Sequence, residues 1–243
     1  LGPDDSLAVD AVARASTVSY RFTISDLAFL RSAAGASALD VAAGMVLDAS
    51  SMMADLAVLR RRFEPHQAAV VEVTRARRRA VGKLRDPQDL LLGDEALQQS
   101  TASTVAAIRA AEVARRFPGA VVHDVTCSIG AEIRELASEP GIGGVLGSDL
   151  DPIRLLMAQH NCAHTPGALR RVGLLRADAL TPTSRADVVI ADPARRSGAG
   201  RVFRLDALMP PLPDLLEAYT GRNLVVKCAP GLDYRLLRTD FGF

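Results

Sequence analysis

The segment Val121 to Gly130, VVHDVTCSIG, decides how the chain is read. A short apolar run with a β-branched pair ends in Asp124 and turns through Cys127 and Ser128 to Gly130. It then enters Ala131 to Leu136, where apolar residues recur with helical spacing. This is a strand-to-helix crossover, and the glycine lets backbone come close to a ligand. A dinucleotide fingerprint, G-x-G-x-x-G, sets backbone N–H groups and a helix N-terminus against a pyrophosphate. Here one glycine follows an acid, and a carboxylate repels phosphate but suits a cationic group. The competing reading is that Asp124 only caps the turn after a buried strand.

Downstream, the pattern repeats. Residues 143–148 read as a second strand with Asp149 at its tip, where one carboxylate can accept hydrogen bonds from both hydroxyls of a ribose. Asp151, followed by Pro152 and a helical run, reads as an N-cap. Val172 to Arg176 forms a third strand leading to Asp178, flanked by Ala177 and Ala179, which leave room for an adenine ring. Val188 to Ala191 is a fully apolar strand ending in Asp192 and Pro193, and proline cannot continue a central sheet. Asn223 to Cys228 reads as a fifth strand. In an open parallel sheet, Asp124, Asp149, Asp178 and Asp192 then fall along one edge, where a ligand crevice belongs.

S-adenosylmethionine presents an ammonium group, a ribose diol and an adenine amine in the order of Asp124, Asp149 and Asp178. Cys127, Ser128 and Gly130 form the loop at its amino-acid end. Gln99 and Thr101 stand at a helix entrance just before the core, either at the mouth of this pocket or simply as loop and cap.

The segments DVTCSIG, GSDLDP, RADAL and ADPARR resemble, in order, the motifs of class I S-adenosylmethionine-dependent methyltransferases. The resemblance is greatest to bacterial members with a THUMP-like domain, related to trimethylguanosine synthase and THUMP-containing RNA methyltransferases. RARRRAVGKL and EALQQSTASTVAAIRAA are similar to that family's helical amino-terminal segment, and RRSGAGRVFRLDAL and KCAPGL extend the likeness past the fourth strand. The resemblance implies a Rossmann-like α/β sheet over residues 118–243, preceded by an α-helical domain over residues 1–117. It implies S-adenosylmethionine as cofactor and RNA as substrate. On chemical grounds the catalytic candidates are Asp192, Pro193 and Arg195, with Asp192 and the Pro193 carbonyl orienting an acceptor amine, such as a base nitrogen. Arg195 or Arg196 either clamps a phosphate or pairs with Asp206 or Asp214. Two departures stand out: Ser128 occupies a position where relatives often have glycine, and Asp192-Pro193-Ala194-Arg195 lacks the second proline and the aromatic that would stack on a base.

Only residues 232–243 follow the fifth strand and its turn, too few for the remaining helix and antiparallel pair of such a sheet. The expectation is a sheet truncated after its fifth strand, with an exposed edge through which copies can associate. The non-catalytic alternative is an RNA-binding or assembly module that retains the pocket, and the catalytic one is a methyltransferase for protein or small molecules.

The 243 residues are 49% hydrophobic and 23% charged, sufficient for a buried core. No apolar run reaches membrane-span length and the opening residues lack a signal-peptide pattern, so a cytoplasmic, membrane-free setting is expected. Three cysteines without close pairing, and histidines without ligand spacing, point to no disulfide framework and no metal site. The net charge of +1 hides an imbalance. Residues 1–59 carry seven Asp against three Arg, whereas residues 60–85 carry eight Arg and one Lys against Glu64 and Glu72. A helix from about Pro65 to Leu84 would align Arg75, Arg78, Arg79 and Lys83 on one face, either along an RNA backbone or merely facing solvent.

Overall fold

The computed structural model describes residues 20–165, 171–195 and 208–228. Its amino-terminal part is helical. Helix α1 (Ile24–Leu30) starts at Thr23, whose hydroxyl accepts from the Asp26 N–H while the Asp26 carboxylate accepts from the Thr23 N–H. Ser25 lies inside the helix because this reciprocal pair sets the start at Thr23. Helices α2 (Ala33–Ala43), α3 (Met52–Phe63), α4 (Gln67–Ala80), α5 (Asp94–Gln99) and α6 (Ser103–Arg116) follow.

Two helical expectations need correction. Helix α4 stops at Ala80, where Val81 turns extended and Gly82 takes a φ of +78°. Lys83 is therefore off the helix, and its Nζ donates to the carbonyls of Leu97 and Gln98. Arg78 donates to the carbonyls of Ala42, Ala43, Met45 and Val46, closing the C-terminal end of α2. Arg79 pairs with Asp94 at 2.9 Å, which leaves Arg75 as the one member of the expected stripe with no partner among the described residues. These four side chains do not form a free cationic stripe. On α6 the N-cap is Ala102 rather than Thr101. That helix buries the small face Ala106, Ala110, Val113 and Ala114 and leaves Val105 and Ile108 exposed.

The carboxyl-terminal part is a five-stranded parallel sheet in the order β3-β2-β1-β4-β7. Its strands are β1 (Val121–Asp124), β2 (Gly144–Asp149), β3 (Val172–Arg176), β4 (Val188–Ala191) and β7 (Asn223–Val226). Helices α7 (Ala131–Ser138), α8 (Pro152–Ala163) and α9 (Leu212–Ala218) lie between strands in the chain. Asp151 caps α8 as expected, accepting from the Ile153 N–H at 2.8 Å. The short strands β5 (Ala194–Arg195) and β6 (Leu208–Met209) pair antiparallel. From β1 the chain steps outward to β2 and β3 and then returns to β4 on the other side of β1. This reversal opens a crevice at the carboxyl ends of β1 and β4. Strand β7 pairs with β4 and with no other described strand. Residues 229–243, on which the truncation argument rested, lie outside the described residues.

One buried cluster bridges the helical segment and the loop and helix that follow β1 and β2. Leu27, Leu59 and Leu91 cluster with Ile129 of the loop after β1 and Met157 of α8. At their junction the buried Asn161 Nδ2 donates to the carbonyls of Leu91 and Ile129 at 3.0 and 2.9 Å, and its Oδ1 accepts from the Leu91 N–H at 2.7 Å. Every hydrogen-bonding direction of that amide but one lone pair is thereby used. No described helix is long and apolar enough to cross a membrane.

Candidate functional site

The loop after β1 is held from three sides. The Thr126 N–H and hydroxyl both donate to Asp124 Oδ1, at 3.0 and 3.3 Å, and Thr126 Oγ1 accepts from the Asp192 N–H at 2.7 Å. The ends of β1 and β4 are thus tied together. Gly130 has a φ of +79°, and a Cβ there would lie 3.2 Å from the Ala158 Cβ and 3.5 Å from the Cys162 Sγ. The space that a side chain would take is filled by α8. Cys127 is buried, and burial raises its thiol well above the ordinary range.

Ser128 adopts a φ of +49°, which turns its N–H toward Asp149 Oδ2 at 2.9 Å. The other carboxylate oxygen accepts from the Asp151 N–H, also at 2.9 Å. The Ser128 hydroxyl accepts from Arg154 of α8 at 2.9 Å, and the same guanidinium donates to Gln99 and Glu95 at 3.0 Å each. This serine therefore links the loop to α5 through Arg154.

These elements enclose a cavity of about 970 Å³. Its lining includes Asp124, Asp149, Asp178 and Asp192 with Gln99 and Thr101, so the crevice gathers most residues singled out by sequence. Cys127, Ser128 and Pro193 line it as well, whereas Gly130 and the four basic residues of the expected stripe do not. Arg195 contributes its backbone to β5. Arg196 and Asp206 lie outside the described residues. No aromatic side chain is among the described lining residues.

The floor is acidic and buried. Asp124 is only 3% exposed, and its carboxyl is pushed up to about 7 by burial and by Glu132, with the Thr126 N–H opposing and Asp192 adding a smaller push. Glu132, in the first turn of α7, is raised chiefly by burial, which Arg109 partly offsets. Arg109 Nη1 lies 3.0 Å from Glu132 Oε1, yet the geometry is not that of a hydrogen bond, and both Glu132 oxygens lack a hydrogen-bond partner. Two buried carboxylates face one cavity, and Arg109 is the one cation among the described residues within 4 Å of either, which leaves a place for a further cation. An ammonium group fits that place, and a pyrophosphate does not. Beside them, Asp192 Oδ2 lies 2.5 Å from Lys227 Nζ and 3.4 Å from Thr101 Oγ1, and Lys227 Nζ donates to Thr101 Oγ1 at 2.9 Å. Sequence reasoning missed Lys227, Glu132, Arg109 and Arg154. For Lys227 a signal existed, since it is the one charge closing the apolar run NLVVKC. The strand ends at Val226, so Lys227 and Cys228 reach the cavity rather than the core.

No family model matches the chain. Two Mycobacterium tuberculosis proteins, from strains H37Rv and CDC 1551, are each 48% identical to it over 185 residues, or 72% of the chain. Both are described as uncharacterized S-adenosylmethionine-dependent methyltransferases. The chain spans about half the length of these relatives, 48%. A crystal structure from Porphyromonas gingivalis W83 that carries a methyltransferase name superposes with a TM-score of 0.57 at 21% identity, covering 78% of this chain and 51% of that one. That likeness shows the fold, a Rossmann-like open parallel α/β sheet.

Proposed function

We propose that this chain, which groups by sequence and fold with the S-adenosylmethionine-dependent methyltransferases, binds S-adenosylmethionine at the crevice and transfers its methyl group to RNA. The observation that carries the cofactor assignment is the buried carboxylate pair Asp124 and Glu132, the latter without a hydrogen-bond partner, facing the cavity that Asp149 and Asp178 also line. The pair takes the ammonium end, Asp149 the ribose hydroxyls, and Asp178 with Ala177 and Ala179 the adenine. When bound, the cofactor supplies a methyl group already activated by its positive sulfur. The protein's contribution is to align an acceptor beside Asp192 and Pro193.

RNA as acceptor is supported by the resemblance of the four strand-end motifs to the THUMP-like group. It is also supported by Arg61, Arg62 and Arg75, which are exposed and have no carboxylate partner among the described residues. Tritium transfer from labelled S-adenosylmethionine to total RNA, total protein and small metabolites tests the reading. Label in RNA is expected. Label only in protein or metabolites overturns the substrate, and cofactor binding without transfer to any pool leaves a non-catalytic module.

A further inference from the structure

Resting on that reading, we infer that the acceptor atom is a hydroxyl oxygen, the ribose 2′-hydroxyl of RNA, handled by Lys227 and Asp192, rather than a base nitrogen.

Lys227, Asp192 and Thr101 form a closed triangle at the cavity wall. The lysine donates to the Asp192 carboxylate at 2.5 Å and to the Thr101 hydroxyl at 2.9 Å, and Thr101 Oγ1 lies 3.4 Å from the same carboxylate oxygen. An ammonium has three N–H groups, so one remains for a further acceptor. A hydroxyl oxygen offers lone pairs to that N–H and a proton to the carboxylate. The exocyclic amino group of a base, whose lone pair is delocalised into the ring, is a poor acceptor for that N–H.

Charge development points the same way. A nitrogen attacking a methyl sulfonium gains positive charge as the bond forms, which an adjacent ammonium opposes. An oxygen losing its proton gains negative charge, which the same ammonium stabilises. In the step inferred, the acceptor O–H bond breaks and its proton passes to the Asp192 carboxylate. The oxygen forms the new bond to the methyl carbon, and the electron pair of the broken carbon–sulfur bond stays on sulfur, discharging it. The proton then leaves to water, which reaches the pair because the Lys227 and Asp192 side chains are 34% and 33% exposed.

The test uses the full chain, tritiated S-adenosylmethionine and total RNA from cells in which the gene is deleted, followed by complete alkaline hydrolysis. A 2′-O-methyl group blocks cleavage of its own linkage, so the label is expected in alkali-resistant dinucleotides. Label in ordinary mononucleotides overturns the hydroxyl assignment and leaves the RNA methyltransferase reading intact, whereas an RNA fraction without label overturns both. Lys227→Met is expected to lower transfer about 100-fold while calorimetric affinity for S-adenosylhomocysteine changes less than about threefold. Equal loss of binding and transfer would assign Lys227 to the cofactor instead and overturn its role toward the acceptor.

Discussion

The Ser128 N–H donates to Oδ2 of Asp149 at 2.9 Å, so the loop after the first strand and the tip of the second are fixed to one another at the edge of the cavity. The positive φ of Ser128 is what aims that N–H. With the Asp151 N–H on its other oxygen, Asp149 is held in one rotamer and retains lone pairs for a ribose. Asp149→Ala is expected to weaken S-adenosylhomocysteine binding by about 1.5–3 kcal/mol, the range for a charge-assisted hydrogen bond. Unchanged affinity in a folded variant would remove Asp149 from the ribose site.

Arg154 is expected to matter without touching the reacting atoms. Its guanidinium joins Ser128 to Gln99 and Glu95, so Arg154→Ala frees both the loop and α5 at the cavity mouth. The expected effect is about 1–2 kcal/mol of cofactor affinity, read by calorimetry, with unfolding stability changed by less than about 1 kcal/mol. A large stability loss with normal binding would make the link a scaffold contact only.

Asn161 joins the helical segment to the sheet. Asn161→Leu keeps the volume but strands the Leu91 N–H and the carbonyls of Leu91 and Ile129 in a buried junction. A loss of about 2–4 kcal/mol in urea unfolding is expected. A loss under about 1 kcal/mol would mean that water replaces the amide.

Much of this was legible from local sequence. Strand tips, the Asp151 cap and the edge of acids follow from patterns only a few residues long, and the fold preserves them. What escaped detection depends on contacts distant in sequence. Arg78 reads as a surface charge until the end of α2 is placed against it, and Lys83 looks helical until Val81 and Gly82 end the helix. Glu132 and Arg109 look like ordinary helix charges and become a buried pair only when α6 packs on α7. Gly130 reads from sequence as a place for close backbone approach to a ligand, and the helix that would clash with a side chain there, α8, follows some twenty residues later in the chain.

The raised carboxyl of Asp124 gives a pH dependence of definite sign. Its folded value of about 7 against an ordinary 3.8 means that the folded, ligand-free protein holds a proton that the unfolded chain releases. Stability without ligand should therefore fall as pH rises from about 4 to about 7 from this group, with no further change above. Cofactor affinity should move oppositely, because the ammonium favours the ionised carboxylate. It should rise toward pH 7, with proton release on binding, and decline above about 8 as the free α-amino group loses its own charge. Affinity independent of pH between 5 and 7 would place the ammonium away from Asp124.

The central claim is that an acid-lined crevice selects a cationic nucleoside over a dinucleotide. Calorimetric titration of the full chain with S-adenosylmethionine and, separately, with NAD at pH 7.5 tests it most directly. Saturable one-site binding of S-adenosylmethionine, unaffected by excess NAD, is the predicted result. Absence of S-adenosylmethionine binding by the folded protein, or its displacement by NAD, would contradict the account.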